Sequence, residues 1–89
     1  MTHKTVTVKN KLGLHARPSA LLVRAATKYR SEFFIEKDGT KVNGKSIMGV
    51  MMLAAAKGAT IGIETIGEDE AEAMEALLAL INDYFGEGQ

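Results

Sequence analysis

Cysteine and tryptophan are absent from these 89 residues, and proline occurs once. Without cysteine there is no disulfide framework and no thiolate metal site, so nothing points to an oxidising compartment. Net charge is missing too: eleven basic residues balance eleven acidic ones. That balance argues against a general nucleic-acid binder, which needs a strong positive field. Aromatics make up only 6% of the chain and are not interleaved with basic residues, which counts against a single-strand RNA-binding domain. The longest apolar stretch, Ile47 to Ala56, is too short to span a bilayer. The Met1-Thr2-His3-Lys4 start has no apolar segment of a secretory leader. A cytoplasmic protein of one domain, residues 1–89, without membrane insertion, metal or cofactor, is the expectation.

The charges that are present are unevenly spread. Lys4, Lys9, Lys11, Arg17, Arg24, Lys28 and Arg30 crowd the first third, whereas every charged residue from 64 to 87 is acidic. One basic face, directed at acidic partners, is compatible with that asymmetry.

Val6 and Val8 alternate with polar neighbours and predict a half-buried strand, followed by an Asn10-Lys11-Leu12-Gly13 loop. A helix is expected from about Ala16 to Tyr29, burying Pro18, Leu22, Ala25, Ala26 and Tyr29 and exposing Ala16, Ala20, Arg24 and Thr27. Glu32 to Lys37 and Thr40 to Asn43 read as a hairpin around Asp38-Gly39. Ser46 is a candidate N-cap for a second helix carrying Ile47, Met48, Val50, Met51 and Met52, stopped by Lys57-Gly58. Thr60 to Ile66 predicts a strand with Ile61 and Ile63 on one face. Asp69, with Glu72 in the capping-box position, should cap a last helix. Met74, Leu77, Leu78, Ile81, Tyr84 and Phe85 form its apolar stripe, and Gly86 ends it. The order is βαββαβα, with the helices over one face of an antiparallel sheet.

Gly13-Leu14-His15-Ala16-Arg17-Pro18-Ser19 sets a histidine where a helix begins. Unpaired N–H groups and the positive dipole end favour an anion there, and disfavour the imidazolium, so a ring nitrogen is available to attack phosphorus. The N–H groups of Ala16 and Arg17 and the Arg17 guanidinium are candidate donors to a phosphoryl group. Pro18 fixes φ in the first turn, where its missing N–H does no harm. On the residues alone, His15 reads equally as a polar helix cap. His3 reads as a solvated surface residue.

Lys11-Leu12-Gly13-Leu14-His15-Ala16-Arg17-Pro18, followed by Lys45-Ser46-Ile47-Met48-Gly49-Val50-Met51, closely resembles the HPr family of phosphocarrier proteins. The resemblance spans the chain and implies an α+β open-faced β-sandwich, with a four-stranded antiparallel sheet covered on one face by three helices. It implies a carrier rather than an enzyme. His15 would accept a phosphoryl group, at Nδ1, from enzyme I charged by phosphoenolpyruvate, and pass it to enzyme IIA domains; Arg17 matches the phosphate-stabilising arginine. The Asn10-Lys11-Leu12-Gly13 stretch resembles instead the nitrogen-related paralogue, because Leu12 stands where sugar-transport members are often polar. The tail Gly86-Glu87-Gly88-Gln89 runs past the end of shorter relatives.

Ser46 carries two expectations. It caps its helix, and a phosphate at that helix start is electrostatically tolerated. The resemblance adds a dedicated HPr kinase/phosphorylase acting on Ser46, and a transcription regulator as a further partner. A partner-binding patch of Ala16, Ala20, Leu21, Ile47, Met48 and Met51, rimmed by Arg17, Arg24 and Lys28, is expected, with Val50 and Leu53 in the core. The carrier is expected to be a monomer. The alternative is a regulatory module working through phospho-Ser46 and the same patch.

Overall fold

The computed structural model describes residues 1–9, 13–53 and 55–83. The expected loop residues 10–12, and Tyr84, Phe85, Gly86 and the tail beyond them, lie outside the described residues. The elements run β1 (Thr2–Thr7), α1 (Ala16–Ala26), β2 (Glu32–Lys37), β3 (Thr40–Asn43), α2 (Ile47–Met52), β4 (Thr60–Ile66) and α3 (Glu70–Asn82). The four strands form one antiparallel sheet in the order β1-β4-β2-β3. No helix is long and apolar enough to cross a membrane among the described residues.

Strand alternation explains the layering. Phe33 and Ile35 on β2 and Ile61, Ile63 and Thr65 on β4 all point to the helix side and are buried. Leu22 and Ala26 of α1, Val50 of α2, and Met74, Leu77 and Ile81 of α3 pack onto them. Asp38 and Gly39 both take positive φ, 50° and 83°, as a type I′ hairpin turn demands. The opposite sheet face carries His3, Phe34, Glu36, Lys41, Gly62 and Glu64 around a shallow cleft. There Lys41 pairs with Glu64 at 2.9 Å, and its ammonium lies 5.2 Å from the centre of the Phe34 ring. Exposed His3 leans across Gly62, where an added Cβ would come within 3.0 Å of Nε2.

Three local expectations need correction. α1 stops at Ala26 rather than near Tyr29. Lys28 and Tyr29 close tighter three-residue turns onto Ala25 and Ala26, and the next two amides, Arg30 and Ser31, are drawn to the Asp69 carboxylate at 2.8 and 2.9 Å. Lys45 fixes the same corner by donating to the Tyr29 carbonyl at 2.9 Å.

α2 ends at Met52, well before Lys57-Gly58. Its continuation is claimed by other segments: Leu14 N–H donates to Ala55 O at 2.8 Å, and Val8 exchanges bonds with Ala59 O and Gly58 N–H at 2.9 and 2.8 Å. Lys37 Nζ donates to the last-turn carbonyl of Leu53 at 3.2 Å.

Asp69 does not cap α3 with its side chain. Its backbone (φ −102°, ψ 24°) lies outside the extended region from which a carboxylate reaches its own helix, and both oxygens serve Arg30 and Ser31, including the Ser31 hydroxyl. Glu70 works at this terminus instead. Its Oε1 accepts from Gly67 N–H at 3.2 Å, while Oε2 takes the Thr2 hydroxyl and the terminal ammonium, each at 2.7 Å.

Candidate functional site

His15 is the last residue before α1. Its backbone is extended (φ −81°, ψ −168°), and its carbonyl already accepts the first helical bond from Ser19 N–H at 3.1 Å. Its side chain makes no capping bond and is half-buried. Ala16 and Arg17 are exposed beside it. Their N–H groups have no acceptor within the helix, and Pro18 brings no N–H, so this terminus offers two donors.

The peptide leading into His15 is held from both sides. Leu14 N–H donates to Ala55 O at 2.8 Å, and Leu14 O accepts from the Ser19 hydroxyl at 3.2 Å. Leu14 and Ser19 are both buried. Gly13 makes the approach possible: its φ is +69°, and a Cβ there would run into the Ala55 carbonyl and come within 2.8 Å of Ala56 Cα. A close backbone crossing and a left-handed φ both require glycine. The Gly13-to-Ser19 motif shows the glycine in the sequence, whereas the roles of the Ser19 hydroxyl and of residues 55–56 emerge only from the fold.

The Ser46 cap is present. Its backbone is extended, and its hydroxyl accepts from Gly49 N–H at 3.1 Å. α1 and α2 pack together, which brings the two motifs onto one side of the molecule. Val50 and Leu53 turn inward, whereas Ile47, Met48, Met51 and Met52 are 42%, 75%, 41% and 77% exposed. Ala20 and Leu21 contribute half-buried surface, and Arg17 and Arg24 are exposed on α1. Lys28, also exposed, sits on the turn after α1 rather than on the helix. Met52 belongs to the apolar face as well, one helical turn beyond Met48. That spacing was available in the sequence.

The comparisons with known proteins agree with this geometry. Residues 2–83 match the family model described as the PTS HPr component phosphorylation site. The chain is 56% identical to the phosphocarrier protein HPr of Neisseria meningitidis over 89 residues, covering all of both chains. It is 60% identical over 81 residues to the HPr-like protein Crh of Halalkalibacterium halodurans, covering 91% of this chain and 96% of that one. Among solved structures, HPr from Thermoanaerobacter tengcongensis superposes with a TM-score of 0.95 at 49% identity, over 98% of each chain. A pinned histidine at a helix start, a capped serine opening a short helix and a match along nearly the whole chain converge: the chain belongs to the HPr family of phosphocarriers of the phosphotransferase system.

Proposed function

We propose that this chain is a histidine phosphocarrier whose residues 1–89 act as one carrier domain, a monomer, in the cytoplasm. A ring nitrogen of His15, Nδ1 by family likeness, attacks the phosphorus presented by phosphorylated enzyme I. The bond to the donor breaks as the new N–P bond forms. An enzyme IIA domain then takes the group from His15, with the partners supplying the catalytic machinery. The observation that carries this reading is the half-buried His15 at the start of α1, on a peptide pinned through Leu14 to Ala55 and Ser19. The Ala16 and Arg17 amides and the Arg17 guanidinium serve the phosphoryl oxygens.

Ala20, Leu21, Ile47, Met48, Met51 and Met52 form the surface that receives both partners in turn. Arg17, Arg24 and Lys28 steer acidic partner surfaces, so association slows as salt rises. Ser46 is the regulatory site, phosphorylated by an HPr kinase/phosphorylase, and its modified form engages a transcription regulator. A second reading, a regulatory module working mainly through phospho-Ser46, draws support from the 60% identity with an HPr-like protein Crh.

Incubation with enzyme I and phosphoenolpyruvate should add one acid-labile phosphoryl group per chain, absent from a folded His15→Ala variant. Label undiminished in that variant would overturn the assignment. With ATP and an HPr kinase, an acid-stable phosphate should appear and be missing from Ser46→Ala. Kinase labelling without any acid-labile label would favour the second reading.

A further inference from the structure

A chain without cysteine has methionine as its main oxidisable residue, and the five methionines are sharply divided. Met74 is 3% exposed inside the core, whereas Met48 and Met52 are 75% and 77% exposed and Met51 is 41% exposed. The last three share one face of α2, beside α1, and together with Ile47 they supply its apolar surface. We propose that Met48, Met51 and Met52 form an oxidation-sensitive modification site, at which a hydroperoxide turns this docking face polar and slows phosphoryl exchange. The inference rests on the docking role assigned above to that face.

The chemistry needs only the oxidant. The thioether sulfur attacks one peroxide oxygen, the O–O bond breaks, and an S–O bond forms. The departing oxygen takes the proton carried by the oxygen now bonded to sulfur and leaves as water from hydrogen peroxide, or as an alcohol from an organic hydroperoxide. Sulfur is oxidised by two electrons and the peroxide is reduced by two. The product is a polar, chiral sulfoxide where a flexible apolar chain had been, and it is returned to the thioether by methionine sulfoxide reductases. The fold has little reason to respond, because the three side chains project from a face that Val50 and Leu53, turned inward, do not share. A partner does respond, since it must desolvate the sulfoxide oxygen without a matching donor.

The test treats the full chain with dilute hydrogen peroxide and maps the sites by peptide mass spectrometry. Met48 and Met52 should gain oxygen first, together with the exposed terminal Met1, and Met74 last. The oxidised protein should keep its circular dichroism. Its rate of phosphorylation by enzyme I should fall roughly fivefold or more, the effect expected of one polar group desolvated unpaired. Sulfoxide reductases should restore it. The M48L/M51L/M52L variant, whatever its own starting rate, should lose nothing on peroxide treatment. An oxidised protein that accepts phosphate at the untreated rate overturns the inference, as does a Met74 that oxidises as fast as Met48. Failure of the untreated protein to accept phosphate from enzyme I would instead overturn the carrier reading, which the unoxidised arm reports separately.

Discussion

The Ser19 hydroxyl donates back to the Leu14 carbonyl, 3.2 Å away, so the first turn of α1 holds the peptide that enters it. Both residues are buried, and water has poor access to replace the bond. Ser19→Ala should therefore destabilise the protein by about 1–2 kcal/mol, the cost of losing a buried hydrogen bond. Because the lost bond sits one residue before His15, phosphate acceptance should also slow at temperatures where the variant is fully folded. Urea melts and enzyme I assays on the same samples would check both. A variant matching the parent in both would remove Ser19 from the account of the site.

Two glycines with positive φ should behave differently. Gly58 has φ +91° and open space around its missing Cβ, so Gly58→Ala meets backbone strain alone, on the order of 1 kcal/mol. Gly13→Ala meets strain and a backbone collision with residues 55 and 56, and should cost more, about 3 kcal/mol. Thermal denaturation would rank the two, and equal shifts would show that the crossing at residue 55 gives way.

Acid should weaken the fold through the start of α3. The Ser31 hydroxyl and the Arg30 and Ser31 amides hold the Asp69 carboxyl below its ordinary value of 3.8. The terminal ammonium, the Thr2 hydroxyl and Gly67 N–H hold Glu70 down to about 2 from 4.5. Both pKa values are lowered on folding. Each group therefore contributes stability that is present in full above its unfolded value and lost as pH falls, for Glu70 between about 4.5 and 2. Denaturant midpoints measured from pH 7 to pH 2 should fall in that window. Glu70→Gln should flatten the fall, and an unchanged acid limb would show that the ion pair does not persist in solution.

Removing the α2 cap tests the structural role of Ser46. Ser46→Ala should lose about 1 kcal/mol of stability, and Ser46→Asp, which restores a capping oxygen, should recover most of it. Equal melting temperatures for all three forms would show that Gly49 N–H finds another partner.

What the sequence made legible was whatever a local period or a turn residue decides. Alternating valines and isoleucines placed the strands, Asp38-Gly39 placed the hairpin, and the Met74, Leu77 and Ile81 spacing placed α3. What it hid was decided by partners far away in sequence. Helical phase puts Ser19 about 20° from Ala26, at the edge of the buried arc, where phase alone does not decide whether a polar side chain faces inward. Asp69 looked like a cap because its type and position fit one, but three donors at residues 30 and 31 outbid its own helix. The early end of α2 could not be read locally at all, since the competing bonds come from Val8 and Leu14.

The strand order carries a consequence for how the molecule is made. Among the described residues β1 lies at the sheet edge and pairs with β4, so it waits for the last strand of this fold before it can pair. The β2–β3 hairpin needs no such delay. His15 is made well before Ala55, the residue whose carbonyl holds the preceding Leu14 in place. A half-made chain thus holds the histidine without the Ala55 contact that fixes the peptide entering α1, and that geometry arrives only once the later segments are in place.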